Sequence, residues 1–340
     1  MKLGSICGLE SVKKIHQWST SERVKGFLEE QFGIKTIPCY YWLLCLLKLI
    51  EPKSLNRCFI SWAYSLMPEK AERLTFSFDG KTVRSTCKMR KYDSPLHIVS
   101  AQLAELGLTF GQWSVEGKSN EIPAVRELLD LLDISGCIVV ADALNCQKET
   151  AKAIVDGGAD YLLNVKGNHE NLRQDIEDYV QDDGLRKAMD TYSTLEKNSG
   201  RIEKRIAYAT DDVDWISGKE EWENLSCIGA VNRLVTTGEE TTNEWHYYIS
   251  SCKLTAEELL KHALLEWSVE TMHWLLDVHF REDFCRIEDR NVQQNLNIAR
   301  KTALNSIKDF KMKSKSKKPI SNIMFDCLLD PNYLLTVLAS

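Results

Sequence analysis

The run Leu74-Thr-Phe-Ser-Phe-Asp-Gly80 decides the fold, because the residue pattern changes there from helical to strand-like. Its β-branched and aromatic residues predict a buried strand, and Asp79-Gly80 is typical of a turn at the end of one. Residues 1–70, in contrast, carry apolar residues at helical spacing. We therefore expect a helical N-terminal domain over 1–70 and a sheet-containing core from residue 71.

The chain beyond this strand predicts an α/β core. The expected strands are His97 to Leu103, Leu108 to Val115, Cys137 to Ala141 and Tyr161 to Val165, and the expected helices are Glu121 to Leu132, Gln147 to Val155 and a third that ends near Val180. Three antiparallel strands that lead into βα units are the order of an RNase H-like core with a mixed sheet. We place the first part of this core at residues 71–184.

In the second half of the chain, the alternation of predicted strands and helices is interrupted and then resumes. Residues 185–252 show strand-like segments between charged loops and predict a mainly β insertion. Thr255-Ala-Glu-Glu258 forms a capping box that begins a long helix, which carries Glu270. We expect 253–310 to complete the core with this helix and a C-terminal helix, and 311–340 to form a basic tail.

Two aspartates follow predicted strands, where an open α/β sheet places its ligands. Asp79 follows the strand that begins at Leu74, and Asp142 follows the strand that ends at Ala141. Because ligands of such sheets bind at the carboxyl ends of strands, we expect the two carboxylates to converge. A simple turn at Asp79 and a helix cap at Asp142 are the alternative interpretations.

A third carboxylate, Glu270, lies in the segment Trp267-Ser-Val-Glu-Thr-Met-His-Trp-Leu-Leu-Asp-Val-His-Phe-Arg-Glu-Asp283. Helical spacing places it on one face with Trp267 and Trp274, which predicts an apolar face. A carboxylate on such a face needs a cation, which is either a metal ion or an ion-pair partner such as His273. Three converging carboxylates predict a site for two Mg²⁺ ions, or Mn²⁺, that supports phosphoryl transfer.

Basic residues near the strand ends and in one C-terminal cluster predict contacts with DNA phosphates. Six lysines lie between Lys308 and Lys318 against one acidic residue, although a solvated loop is the alternative interpretation. The predicted DNA-binding residues are Lys81, Arg84, Lys166, Asn168, Lys311, Lys313, Lys315, Lys317 and Lys318.

Composition sets wide limits on the function. The net charge of −6 argues mildly against a nucleic-acid partner, so the local distribution of lysines carries the prediction. No apolar run approaches the ~18 residues of a membrane span, and the N-terminus lacks the pattern of a signal peptide. The 11 cysteines are scattered without metal-ligand spacing. We expect reduced thiols in a cytoplasmic protein without a membrane partner.

Several segments, in order along the chain, resemble DDE transposases of bacterial insertion sequences, specifically the H repeat-associated group of the IS-four-like class. They are Cys7-Gly-Leu-Glu-Ser11, Phe78-Asp-Gly-Lys-Thr-Val-Arg84, Lys118-Ser-Asn-Glu-Ile122, Val140-Ala-Asp-Ala143 with Cys146-Gln147, Ala159-Asp-Tyr-Leu-Leu-Asn-Val-Lys-Gly-Asn168, Gly200-Arg-Ile-Glu-Lys-Arg205, Tyr248-Ile-Ser-Ser251 and Trp267 to Asp283.

The resemblance implies an RNase H-like catalytic domain, a β insertion before the catalytic glutamate, and Mg²⁺-dependent cleavage and strand transfer of double-stranded DNA. Its triad falls on Asp79, Asp142 and Glu270. The implied partners are the terminal repeats of a mobile element and its target DNA. A homodimer on DNA and a bacterial cytoplasm, with association to the nucleoid, are implied by the same analogy.

Because this chain departs from the family pattern at several positions, a copy with impaired activity remains an alternative. Where the family has R-x-H-W-x-I-E-N, this chain has Leu264, Glu266 and Thr271 in place of the Arg, His and Asn. Ser199 replaces a His that often precedes the Gly200 segment, and a leading helical stretch usual in the family is not seen, so a truncated N-terminus stays open. The alternatives to an active transposase are a decayed transposase that binds DNA without catalysis and an RNase H-like host nuclease.

Overall fold

The computed structural model describes residues 1–68, 73–87, 94–116, 121–198 and 200–340. Ser199 and the first three residues of the segment Lys118-Ser-Asn-Glu-Ile122 lie outside this part of the chain. None of the helices in the described ranges is both long and apolar enough to cross a membrane.

The described residues before the sheet contain five helices, in a part of the chain that the spacing predicts to be helical. They are α1 (Lys2–Ile6), α2 (Val12–Ser19), α3 (Glu22–Phe32), α4 (Tyr40–Leu49) and α5 (Pro52–Tyr64). The Ser11 side chain caps α2, and the Glu51 carboxylate caps α5, where Pro52 occupies the first turn. Buried residues of α1 and α3, such as Ile6 and Phe27, pack in one cluster with residues from the C-terminal part of the chain. The first 68 residues therefore share a hydrophobic core with the chain's other end.

One nine-stranded sheet organises the protein. Its strands are β1 (Thr75–Val83), β2 (Leu96–Leu103), β3 (Leu108–Glu116), β4 (Ile138–Ala141), β5 (Asp160–Val165), β6 (Asp190–Asn198), β7 (Arg201–Thr210), β8 (Cys227–Thr237) and β9 (Glu240–Ser250). Their order across the sheet is β3-β2-β1-β4-β5-β9-β8-β7-β6. Strands β1 to β3 are antiparallel, whereas β4 and β5 run parallel to β1. This is the RNase H-like topology that the order of predicted elements indicates.

The strands predicted as an insertion extend the same sheet. Strand β9 pairs antiparallel with β5, and β8, β7 and β6 follow outward. The sequence pattern missed β6, whose side chains are largely exposed and lack apolar alternation. Residues 190–250 therefore form a continuation of the core sheet through hydrogen bonds.

The described helices after β3 are α6 (Glu121–Leu129), α7 (Lys148–Asp156), α8 (Glu170–Gln181), α9 (Asp183–Ala188), α10 (Ala256–Glu266), α11 (Ser268–Phe280), α12 (Arg290–Lys313), α13 (Ile320–Leu329) and α14 (Pro331–Leu338). Alternation along β4 shows how they cover the sheet. Val139 and Ala141 pack in the cluster that contains α6 and α7, whereas Ile138 and Val140 pack in the cluster that contains α10. The core thus has helices on both faces.

Three details differ from the sequence predictions. Strand β1 continues through Asp79 and Gly80 to Val83, so the turn predicted there is wrong. The capping box at Thr255 is present, but the long helix divides at Trp267 into α10 and α11. The predicted basic tail contains two helices, α13 and α14, whose buried residues pack in the same cluster as Leu304 and Ile307 of α12.

The apolar face predicted around Glu270 is also wrong. The side chain of Trp274 is 57% exposed, and Glu270 lies on the surface. The buried residues of α11 are Val269, Met272, Leu275, Leu276 and Phe280. Large apolar residues lie on more than one side of the helix, since Trp274 and Val278 are exposed, so spacing alone did not identify which side faces the core.

Candidate active site

Asp79 and Asp142 lie on adjacent parallel strands at the same height. Phe78 of β1 pairs with Ala141 of β4, and each aspartate is the next residue of its strand or strand end. Because side chains alternate across a sheet, Asp79 shares a face with Ser77 and Thr75, the face covered by α10. The structure therefore brings together the two aspartates that the sequence places at strand ends.

The surroundings of Asp142 perturb its acidity. Burial raises the pKa of this carboxyl above its usual value, and the negative charges of Glu121 and Asp79 act in the same direction. Hydrogen bonds from Asn145 oppose the rise: its side-chain Nδ2 donates to Asp142 Oδ1 over 2.9 Å, and its backbone N–H donates to the same oxygen over 3.3 Å. Asp142 thus also caps the short 3₁₀ turn of residues 143–145, as the alternative interpretation expected.

Asp79 meets a histidine from the following helix. His273 Nδ1 of α11 lies 3.3 Å from Asp79 Oδ2. The sequence left His273 as a partner for Glu270, but the structure places its ring against the strand. The contact joins the helix that carries Glu270 to the strand that carries Asp79.

The third predicted carboxylate, Glu270, lies in the first turn of α11 on the exposed side. Four residues earlier, Glu266 ends α10 and is more buried than Glu270. The Ser77 hydroxyl of β1 donates to the backbone carbonyl of Glu266 over 3.1 Å, which places Glu266 two strand residues from Asp79. The residue that the family comparison marked as a departure is therefore part of the acidic site.

Electrostatics support this placement of Glu266. Burial raises the pKa of its carboxyl to about 8. The negative charges of Asp142, Asp79 and Glu270 add to the rise, and the positive charge of Lys166 counteracts it. Four carboxylates therefore act on one another across the carboxyl ends of β1 and β4.

Two of the predicted DNA-binding residues lie at this edge. Lys166 follows β5, the parallel neighbour of β4, and is exposed beside Glu266. Asn168 Nδ2 donates to the backbone carbonyls of Ala143 and Cys146 over 2.7 and 3.3 Å. The Asn168 amide nitrogen therefore holds the loop after Asp142, whereas the side chain of Lys166 is exposed to solvent.

Lys81 and Arg84 differ from each other in their surroundings. The Lys81 ammonium lies 2.6 Å from Asp277 and 2.8 Å from Glu282, in a largely buried ion-pair cluster. Its two carboxylate partners leave little positive charge for a phosphate, so this placement gives no support to the predicted contact. Arg84 is 84% exposed and lies 3.5 Å from Asp283.

The lysine cluster lies away from the aspartates. Lys301 of α12 donates to Ser100, the cross-strand partner of Asp79, over 2.7 Å. Lys311 is ten residues farther along the same helix, a distance of about 15 Å. Lys308 contacts Gly107, in the turn after β2 at the opposite end of β1 from the site. Lys311, Lys313, Lys315, Lys317 and Lys318 are thus not brought to the triad.

A buried polar network that the sequence pattern did not assign supports Asp142. His97 of β2 contacts Glu121 of α6 over 2.9 Å, and Glu121 accepts a hydrogen bond from Asn145 over 3.2 Å. Glu121 belongs to one of the segments that resemble the transposase family, which was the one available signal for it. The strand pattern around His97 gave no such signal, because a lone histidine in an apolar run is ordinary.

The donor set at the site suits a hard divalent cation. Carboxylate oxygens are the ligands that Mg²⁺ and Mn²⁺ prefer, and Mg²⁺ commonly uses one or two carboxylates with waters and substrate phosphates. Asp79 and Asp142 provide two such carboxylates on adjacent strands. Within the described ranges, no three His, Cys, Asp or Glu side chains come together closely enough to hold an ion. The two aspartates fit the cation, and a third ligand requires movement of Glu270 or a substrate oxygen.

The sheet has an RNase H-like topology and carries aspartates on two adjacent parallel strands. The comparison with protein families identifies the class of protein. The family described as "Transposase DDE domain" matches residues 72–306. The chain belongs to this family of DDE transposases.

Three of the curated relatives come from Escherichia coli. The protein YbfL of strain K12 is 32% identical over 98% of this chain and 89% of its own length. The H repeat-associated "putative transposase" YhhI of the same strain is 33% identical over 89% of this chain and 81% of its own. YncI of O157:H7, named as a transposase in the same qualified way, is 33% identical over 81% of this chain and 73% of its own.

Among solved structures, a cryo-EM structure of the piggyBac transposase synaptic complex with hairpin DNA is similar at a TM-score of 0.47 and 10% identity. The similarity covers 82% of this chain and 57% of that chain.

Proposed function

We propose that this protein is a transposase that cleaves DNA phosphodiester bonds at the ends of an insertion sequence and joins the freed 3′-OH to target DNA. The observation that carries the proposal is the pair Asp79 and Asp142, one residue beyond paired positions of two parallel strands in a DDE-family sheet. Mg²⁺, or Mn²⁺, is the proposed cofactor, with Asp79, Asp142 and Glu270 as its ligands. Double-stranded terminal repeats and target DNA are the proposed substrates of a homodimer.

When bound, the metal ions activate the attacking water or 3′-OH and stabilise the leaving oxygen. Asp79 and Asp142 would hold the metal in a fixed position, because the strands that carry them are rigid elements of the sheet. Asn145 fixes the Asp142 carboxylate, since its backbone N–H and its side-chain Nδ2 both donate to Asp142 Oδ1. Lys166 lies beside the carboxylates and offers a positive charge to the phosphate backbone.

The test is the Asp142→Asn variant with a DNA fragment that contains the element end. We expect Mg²⁺-dependent cleavage to be lost while DNA binding remains, because the amide removes a charged ligand but little volume. Asp214→Asn is the matched control, since it removes the same charge from an exposed ion pair with Lys219. Normal cleavage by Asp142→Asn contradicts the proposal, and a strand-transfer assay that yields no joined product favours a nuclease without transposition.

The position of Glu266 favours a second candidate function, a decayed transposase that binds DNA without catalysis. Glu266, whose raised pKa keeps its carboxyl protonated and neutral at neutral pH, occupies the place where the family has a basic His. Glu270 lies on the exposed side of a helix that begins only at Ser268. The triple variant Leu264→Arg, Glu266→His, Thr271→Asn tests this candidate. A gain of cleavage from an inactive native chain supports decay, whereas cleavage by the native chain contradicts it.

A further inference from the structure

We infer that Glu121 is a positioning residue for the proposed reaction: through Asn145 it fixes the orientation of the Asp142 carboxylate toward the metal. The inference rests on the proposed function and assigns a role to a residue outside the Asp79, Asp142 and Glu270 set. It starts from a series of side-chain contacts that connects β1 with Asp142.

The contacts follow one another without a gap. Thr82 Oγ1 of β1 lies 2.9 Å from His97 Nδ1, and His97 Nε2 lies 2.9 Å from Glu121 Oε2. The other oxygen of Glu121, Oε1, accepts from Asn145 Nδ2 over 3.2 Å, and the same amide donates to Asp142 Oδ1 over 2.9 Å. Each Glu121 oxygen therefore has its own partner, and Asn145 connects the two carboxylates.

Burial makes these contacts rigid. His97 and Glu121 are each 2% exposed, and Asn145 is fully buried. A buried carboxylate is costly unless hydrogen bonds or an opposite charge compensate it, so the side chain of Glu121 is held where both partners reach it. Because both of its oxygens are already engaged within the protein, we assign Glu121 to orientation and not to metal ligation.

Gly80 connects the network to the strand of the first aspartate. A Cβ built at residue 80 would lie 2.4 Å from Glu121 Oε2 and 2.5 Å from His97 Nε2. Real carbon atoms do not approach so closely, so the glycine next to Asp79 makes room for the His97–Glu121 pair. One buried pair thus packs against the residue after Asp79 and, through Asn145, holds Asp142.

Asn145 leaves the other oxygen of Asp142 to the site. Both hydrogen bonds from Asn145 go to Oδ1, so they fix the rotation of the carboxylate while Oδ2 stays available. Partners that orient a metal-binding side chain in this way commonly affect metal affinity by about 10- to 100-fold when removed. Loss of Glu121 leaves Asn145 free to rotate and should have a similar effect.

The test measures Mn²⁺ binding by the protein alone, from the signal of free Mn²⁺ in electron paramagnetic resonance. We expect Glu121→Ala and Asn145→Ala to weaken Mn²⁺ binding about tenfold or more, with no change in DNA affinity. Glu121→Gln should retain most of the affinity, because its amide oxygen still accepts from Asn145 and the other tautomer of His97 accepts from its NH₂ group.

Asn305→Ala is the matched control for loss of a buried asparagine. Asn305 is also fully buried, and it bonds the backbone of Thr109 over 2.9 and 2.7 Å, away from Asp142. This variant should lose thermal stability and keep the Mn²⁺ affinity of the native chain. If Glu121→Ala does not fold, Asn145→Ala carries the same test.

The outcomes separate the two proposals. If Asp142→Asn loses Mn²⁺ and both alanine variants bind it normally, the positioning role is wrong and the proposed function stands. Normal Mn²⁺ binding by Asp142→Asn contradicts the proposed metal site itself. Equal losses for Glu121→Gln and Glu121→Ala also overturn the inference, since hydrogen bonding would then not be what Glu121 supplies.

Discussion

His273 Nδ1 lies 3.3 Å from Asp79 Oδ2 and so joins α11 to β1 in the centre of the acidic site. The contact engages a carboxylate oxygen that a divalent cation would also use. If a bound metal ion uses this same oxygen, His273 and the metal compete for Asp79. The contact therefore links the position of α11, the helix that carries Glu270, to the carboxylate of Asp79.

Replacement of His273 by alanine tests this competition. We expect His273→Ala to lower the free energy of unfolding of the metal-free protein by about 1 kcal/mol, the usual contribution of a hydrogen bond. Mn²⁺ affinity should be unchanged or higher, because Asp79 is released. Urea unfolding with and without Mn²⁺ measures both effects, and His279→Ala on the same helix is the control. A clear loss of Mn²⁺ affinity in His273→Ala would show that the histidine supports Asp79.

The raised pKa of Glu266 predicts a pH-dependent stability. Its carboxyl has a pKa of about 8 in the folded protein against an ordinary value of 4.5, so the folded state holds a proton that the unfolded state releases. Unfolding then releases a proton between these values, and the stability contributed by Glu266 falls as pH rises from about 4.5 to about 8. This contribution is fully present below pH 4.5.

Glu266→Gln should flatten that part of the profile, because its amide does not titrate. Thermal unfolding of both proteins at pH 5, 6.5 and 8 in a metal chelator gives the comparison. We expect the stability of the native chain to decrease relative to the variant as pH rises. Parallel stability profiles of the two proteins over this range would refute the raised pKa of the Glu266 carboxyl. Glu257→Gln, at the exposed start of α10, is the control.

Lys81 and Arg84 provide a matched pair that separates folding from DNA binding. Lys81→Ala leaves Glu282, which is 1% exposed, without its cation, and removal of one partner from a buried pair costs about 3 kcal/mol. Arg84→Ala removes an exposed charge and should leave the stability unchanged while it weakens DNA binding. Chemical denaturation and a DNA-binding titration distinguish them. Equal stabilities would show that Lys81 does not hold the cluster together.

The lysine cluster predicts a salt-dependent contact with DNA. Lys315 and Lys317 form no ion pair within the described part of the chain, whereas Lys313 and Lys318 are paired with Asp309 and Asp326. The double variant Lys315→Ala, Lys317→Ala should reduce the slope of log affinity against log salt by about 2. Lys25→Ala with Lys35→Ala removes the same charge from another exposed surface. An unchanged slope would support the alternative interpretation, in which the cluster is a solvated loop that does not contact DNA.

Periodicity predicted the elements well where burial differed between the two faces of an element. Helix α6 was found because its apolar residues lie on one face, whereas strand β4 was found because it is a short apolar run that is buried on both faces. Strand β6 was missed since it is an exposed outer strand, and the face of α11 was misjudged because large apolar residues lie on more than one side of the helix. The division at Trp267 had no local signal, since no glycine or proline marks it.

The sequence by itself determined the type of sheet and singled out Asp79 and Asp142 as candidate site residues, because β-propensity and the order of strands and helices are local properties of the chain. Only the tertiary structure decided which other charges share that site. Glu266 faces the aspartates, Glu270 faces solvent and Lys81 is neutralised by two carboxylates. Burial and the distance between charges depend on contacts between residues far apart in sequence, so no local pattern contains them.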